Sequence, residues 1–121
     1  MVKTTTNSIK ILSGGIVLNK LNTRSGFKKV YQLESKNAIY FLNNGVKAPI
    51  VFDVSKIDNL TFDEVKSMVN QDYVSFCSSL AIVLKSSLYI PIMNLWYGFV
   101  KSDCPIHFFE SKEKAIDWLK K

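Results

Sequence analysis

The sequence predicts an α/β fold: a mixed sheet opened by an N-terminal β-hairpin and continued by β-α units, in the order ββαβαβαβα. Three observations carry that prediction. Short apolar or β-branched runs recur along the chain, helix starts with capping residues fall between them, and a Ser13-Gly14-Gly15 turn separates the first two runs. With 121 residues, 47% of them hydrophobic and 21% charged, the chain is the size of one ordinary domain, and 1–121 is read as such. No linker, low-complexity tract or internal repeat divides it.

The elements follow in order. Runs 9–12 and 16–21 flank the glycine pair and form an antiparallel hairpin. Over 26–44 the apolar residues Phe27, Val30, Tyr31, Ala38, Phe41 and Leu42 fall at helical spacing, and Asn43-Asn44-Gly45 supplies the stop. Pro49 then opens a β-branched run at 50–54, typical of a strand covered on both faces. Thr61 with Glu64 three residues on is a capping box for a helix over 61–70. Run 80–84 is the next buried strand and 106–109 the last, and Ser111 caps a terminal helix in which Ala115, Trp118 and Leu119 share a face. Val51, Phe52, Ile82 and Val83 are expected among the least exposed residues.

The helix predicted over 88–100 is apolar on two sides. Leu88, Ile92, Leu95 and Phe99 make one stripe, and Tyr89, Met93, Trp96, Tyr97 and Val100 a second, with Ile90, Asn94 and Gly98 on the third side. One stripe suffices to pack on a sheet. The second is expected to be an interface, of a homodimer first, or the lining of an apolar ligand's pocket; cover by neighbouring helices of the same chain is the alternative.

Composition excludes several classes. The net charge of +6 is carried by scattered lysines with Arg24 as the one arginine, which argues against specific nucleic-acid binding. The longest apolar run is too short to span ~30 Å of hydrocarbon and contains Pro91 and Asn94, so no membrane span is expected. Cys77 and Cys104 lack zinc-ligand spacing and the chain has one His, so no metal and no cofactor is expected, and both thiols are read as buried and reduced. The first residues carry no apolar signal region, so the expected location is cytoplasmic. Abundant Lys, Asn and Ile beside one Arg suit an AT-rich bacterial genome.

The stretch Ile50-Val51-Phe52-Asp53-Val54-Ser55-Lys56-Ile57 leading to Thr61 resembles the strand-turn-helix signature of STAS domains, the SpoIIAA-like family of anti-sigma-factor antagonists. The ending from Pro105 to Leu119, a strand running into F-x-x-x-x-x-A-x-x-W-L, resembles the small bacterial STAS/SEC14-type branch. The resemblance implies a SpoIIAA-like fold acting through protein or ligand binding rather than chemistry. It also implies a position for a phosphorylated Ser or Thr at the start of the helix after the strand, and the nearest residue is Thr61. Thr61 lacks the preceding Asp and following Gly of that motif, and helix capping accounts for it.

The remaining candidates have structural explanations. Asp53 lies at a strand end, where α/β sheets often bind ligands, yet a carboxylate there commonly accepts hydrogen bonds from its own turn. His107 alternates with Ile106 and Phe108 and has no nucleophile motif with it. Gly14-Gly15 lacks the Lys and Ser/Thr of a phosphate loop. Asp58, Asp63 and Glu64 compensate a helix dipole. The expected function is a non-enzymatic interaction or regulatory domain with an unidentified protein partner, the alternative being a small carrier or sensor of an apolar ligand such as a lipid.

Overall fold

The structure is a computed structural model that describes residues 1–69, 77–85, 90–97 and 104–121, with Trp96 described by its backbone only. Among these residues six strands form one sheet in sequential order. They are β1 (Val2–Lys3), β2 (Asn7–Ile11), β3 (Val17–Leu21), β4 (Ala48–Asp53), β5 (Cys77–Val83) and β6 (Ile106–Phe109). Helix α1 (Lys29–Leu42) joins β3 to β4, α2 (Phe62–Met68) lies between β4 and β5, α3 (Ile90–Tyr97) lies between β5 and β6, and α4 (Lys112–Leu119) follows β6. β1, β2 and β3 pair antiparallel, and β3 to β6 pair parallel. The mixed sheet with its hairpin is as expected. The addition is β1, whose two residues are too few to show a period in sequence.

Local chemistry sets the boundaries. Gly14 and Gly15 take φ of +81° and +76°, a region costly for residues with a Cβ, and Leu12 N–H closes the turn on the Ile16 carbonyl at 2.7 Å. At the end of α1, Asn44 and Gly45 again have positive φ, and Gly45 N–H reaches back to the Tyr40 carbonyl at 2.8 Å. Ser111 Oγ accepts from Lys114 N–H at 3.2 Å and starts α4 as the sequence predicts.

Each parallel crossover moves one strand along the sheet in the same direction, so crossovers of one hand place their helices on one face. That face carries the larger core, in which Ile39 of α1, Val65 and Met68 of α2, and Met93 and Tyr97 of α3 pack on Ile9, Val17, Ile50, Phe52, Leu80, Ile82 and Phe108. The opposite face is covered by α4, whose Ala115 sits on Leu18, Val51, Ala81 and Val83. Val51, Phe52, Ile82 and Val83 are all buried, as expected for strands covered on both sides.

Two helices are rotated relative to the sequence reading. In α3 the sheet-facing side is Ile90, Met93, Asn94 and Tyr97, while Ile92 and Leu95 from the stripe expected to pack inward face solvent. The cause is Asn94. Its side-chain amide accepts from Phe108 N–H at 2.8 Å and donates to the Phe108 carbonyl at 3.1 Å, completing the outer edge of β6 as a neighbouring peptide would. In α1, Val30 and Phe41 were expected in the packed stripe, yet both are exposed and Ile39 and Ser35 face the sheet instead.

Candidate functional site

The carboxyl ends of β3, β4 and β5 stop side by side, and the loops beyond them carry the polar residues that the sequence singles out. Asp53 ends β4, and its Oδ1 accepts from Ser55 N–H at 3.0 Å and from Ser55 Oγ at 2.6 Å. Both bonds stay within the turn, so the side chain organises the chain reversal between β4 and α2. Thr61 completes the predicted capping box: its Oγ1 accepts from Glu64 N–H at 3.1 Å, and Thr61 N–H donates to Glu64 Oε1 at 2.9 Å.

Arg24 ties this loop to the one after β3. Its Nη1 donates to Glu64 Oε1 at 2.6 Å, and its Nη2 donates to the Asp58 carbonyl. Lys85, just beyond β5, pairs with Asp58, and its ammonium holds the Asp58 carboxyl below the usual carboxylate range. Three loops are thus laced by charge-assisted bonds around an exposed Thr61. The arrangement positions a helix start and already pairs Asp53, Asp58 and Glu64. Among the described residues no group of three His, Cys, Asp or Glu side chains is placed to hold a metal.

Parts of the outward side of the helical layer are apolar. Along α1, Val30, Leu33, Tyr40 and Phe41 lie on one side at helical spacing and are all exposed, Phe41 by 78%. Tyr40 and Phe41 meet edge to face, with ring centroids 6.1 Å apart. On α3, Ile92 and Leu95 are exposed by 58% and 68%. The stripe expected to face a partner is therefore corrected where it is described: Met93 and Tyr97 are buried by the chain itself, with Tyr97 against Phe108 at 6.4 Å. Tyr89 and Val100, and the side chain of Trp96, lie outside the described residues.

Helix α1 was the part of this surface that sequence reasoning missed. The signal was present in the spacing of Val30, Leu33, Tyr40 and Phe41, while the side turned to the sheet carries the polar Ser35. Also unforeseen is a buried polar chain under the helical layer. Thr6 Oγ1 donates to Asn7 Oδ1 at 2.5 Å, and Asn7 Nδ2 donates to Asn19 Oδ1 at 2.7 Å.

His107 lies on the α4 side of the sheet, half-buried against Phe109 and Trp118 with ring centroids 4.9 Å and 5.7 Å away. Burial lowers its pKa from the ordinary imidazole value. Beside it a shallow cleft of ≈ 250 Å³ opens between Ile90, Asn94, Phe109 and Lys114. That is below the size range of most small-molecule sites, which begins at about 300 Å³.

Comparison with known proteins locates the fold. The family model described as "Domain of unknown function (DUF7793)" matches residues 12–121. An uncharacterised protein of the DUF3478 family from Shewanella loihica PV-4, whose crystal structure is described as having a SpoIIAA-like fold, is 17% identical. The similarity covers 98% of each chain with a TM-score of 0.55, so this chain has a SpoIIAA-like fold. A protein with unknown function from Arthrobacter sp. FB24 is 19% identical over 98% of this chain and 96% of its own, with a TM-score of 0.32. No curated protein matches the chain.

Proposed function

The chain belongs to the family described as "Domain of unknown function (DUF7793)", and we propose that it is a non-enzymatic SpoIIAA-like interaction domain that self-associates through its helical layer. The observation that carries this reading is the outer side of α1. Val30, Leu33, Tyr40 and Phe41 are held in water by a helix whose other side is already packed. Exposed aromatic and branched side chains sharing one side of a helix support a protein-binding surface there. A two-fold interface between identical chains brings the same patch of both copies together, so one such helix side suffices for a dimer.

The same reading treats the loops around Thr61 as structural and the domain as non-catalytic. His107 is packed between aromatic rings, and the carboxylates near Thr61 are engaged by Arg24, Lys85 and the capping box. Sedimentation velocity over a range of concentrations, with native mass spectrometry of protein purified from cells, tests the proposal. A concentration-dependent dimer carrying no added mass is the expected result. A monomer at every concentration, or a monomer with bound lipid mass, would overturn it.

A further inference from the structure

Cys77 opens β5 and Cys104 lies two residues before β6 begins, on neighbouring parallel strands. Two steps back along the ladder from the Leu80–Ile106 pair bring Cys104 level with Ser78, one residue from Cys77. Alternation along β5 would send Cys77 to the face opposite Leu80 and Ile82. It does not, because the pairing of β4 with β5 shifts register between Ala48 and Pro49, where Cys77 is matched to Ala48 and Ser79 to Pro49. The additional residue, Ser78, turns Cys77 onto the helical face, where Cys104 also packs. Both side chains are buried in the same core cluster, and the Cys104 thiol donates to the Pro105 carbonyl at 3.5 Å.

We propose that Cys77 and Cys104 form a peroxide-sensitive dithiol, which closes to an intramolecular disulfide across β5 and β6. Neighbouring strands lie roughly 4.8 Å apart, which brings Cα atoms within the span that a disulfide bridges. The two sulfurs are not equivalent. Interaction with the neighbouring Cys77 thiol, helped by the ammonium of Lys47, favours the Cys104 thiolate against the opposing effect of burial, while the same interaction and burial keep the proton on Cys77. Cys104 is therefore the attacking sulfur and Cys77 the resolving one.

The chemistry balances with hydrogen peroxide as the oxidant. The Cys104 thiolate attacks one peroxide oxygen, the O–O bond breaks, and the departing hydroxide takes up the thiol's proton as water, leaving a sulfenic acid. The Cys77 sulfur then attacks the Cys104 sulfur, the S–O bond breaks, and the oxygen leaves as a second water with the Cys77 proton. Two thiols lose two electrons and one peroxide is reduced to two waters. The closed loop contains α3, so the disulfide would tie both ends of the segment that presents Ile92 and Leu95.

The folded full chain is treated with hydrogen peroxide, alkylated in denaturant and weighed intact. The expected product is lighter by two hydrogens, takes up no alkylating agent, and returns to the dithiol with dithiothreitol. In Cys77→Ser, dimedone should trap a sulfenic acid on Cys104, and in Cys104→Ser the remaining thiol should react about tenfold more slowly or less. The wild-type measurement stands even if a variant fails to fold. The proposal is overturned if the native protein does not close while the unfolded chain does. A disulfide between two copies, or oxygen added to either sulfur without closure, would overturn it equally.

Discussion

The two faces of the sheet are covered by helices of opposite character. On one face, α4 is conventionally amphipathic: Ala115 is buried and Ile116, Trp118 and Leu119 half-buried, while Lys112, Glu113, Lys114, Asp117 and Lys120 face water. On the other, α1 and α3 pack one side onto the core and still present Val30, Leu33, Tyr40, Phe41, Ile92 and Leu95 to solvent. The same chain therefore writes an ordinary polar surface where a helix has one neighbour. The apolar outer side of α1 and α3 is not needed to close their own core, which is why it is read as a surface for a second copy.

Substitutions on α3 separate the two sides most strongly. Phe108→Ala, under α3, should cost about 3–5 kcal/mol and Met93→Ala about 2–5 kcal/mol in urea denaturation. Leu95→Ala, on the outer side of the same helix, should stay within about 0.5 kcal/mol. Equal costs at Met93 and Leu95 would mean that the helix is rotated differently. Next in size is Asn94→Ala, which leaves both backbone groups of Phe108 without the amide that completes the strand edge, and should cost about 1–3 kcal/mol.

Smaller effects test the loops. Thr61→Ala should lower stability by about 1 kcal/mol and Thr61→Ser should be nearly neutral, since serine caps equally well. Stoichiometric phosphate on Thr61 in protein from cells would make it a switch and not a cap. On the α4 face, His107 has a folded pKa below its ordinary 6.5, so the unfolded chain binds the proton more readily. Its contribution to stability is therefore present above pH 6.5 and is lost as pH falls through the folded value. His107→Phe should flatten that acid-side slope in a pH series of denaturation midpoints.

The contrast between the faces also explains what could be read from sequence. The α4 region was legible in full, because one cap, one apolar face and one polar face leave a single way to place the helix. The central strands were legible because Ile50, Val51, Ile82 and Val83 fall in short β-branched or apolar runs between capped helices. Helices α1 and α3 were legible as helices but not in rotation. When both sides are apolar, periodicity no longer says which faces the sheet; in α3 the deciding residue is polar, Asn94 turning inward for the edge of β6, while in α1 the inward side carries Ser35, whose buried hydroxyl has no hydrogen-bond partner among the described residues. At the loops, the capping box of Thr61 and Glu64 is local and was visible. Its lacing to Arg24 joins residues 40 positions apart, which no local pattern records.

The outer side of α1 as an interface is tested most directly by Leu33→Glu combined with Phe41→Glu, followed by sedimentation velocity beside the wild type. Both residues are exposed, so the account predicts an unchanged circular dichroism spectrum with self-association abolished and a thermal midpoint that no longer rises with protein concentration. A variant that unfolds, or one that dimerises as the wild type does, would contradict it.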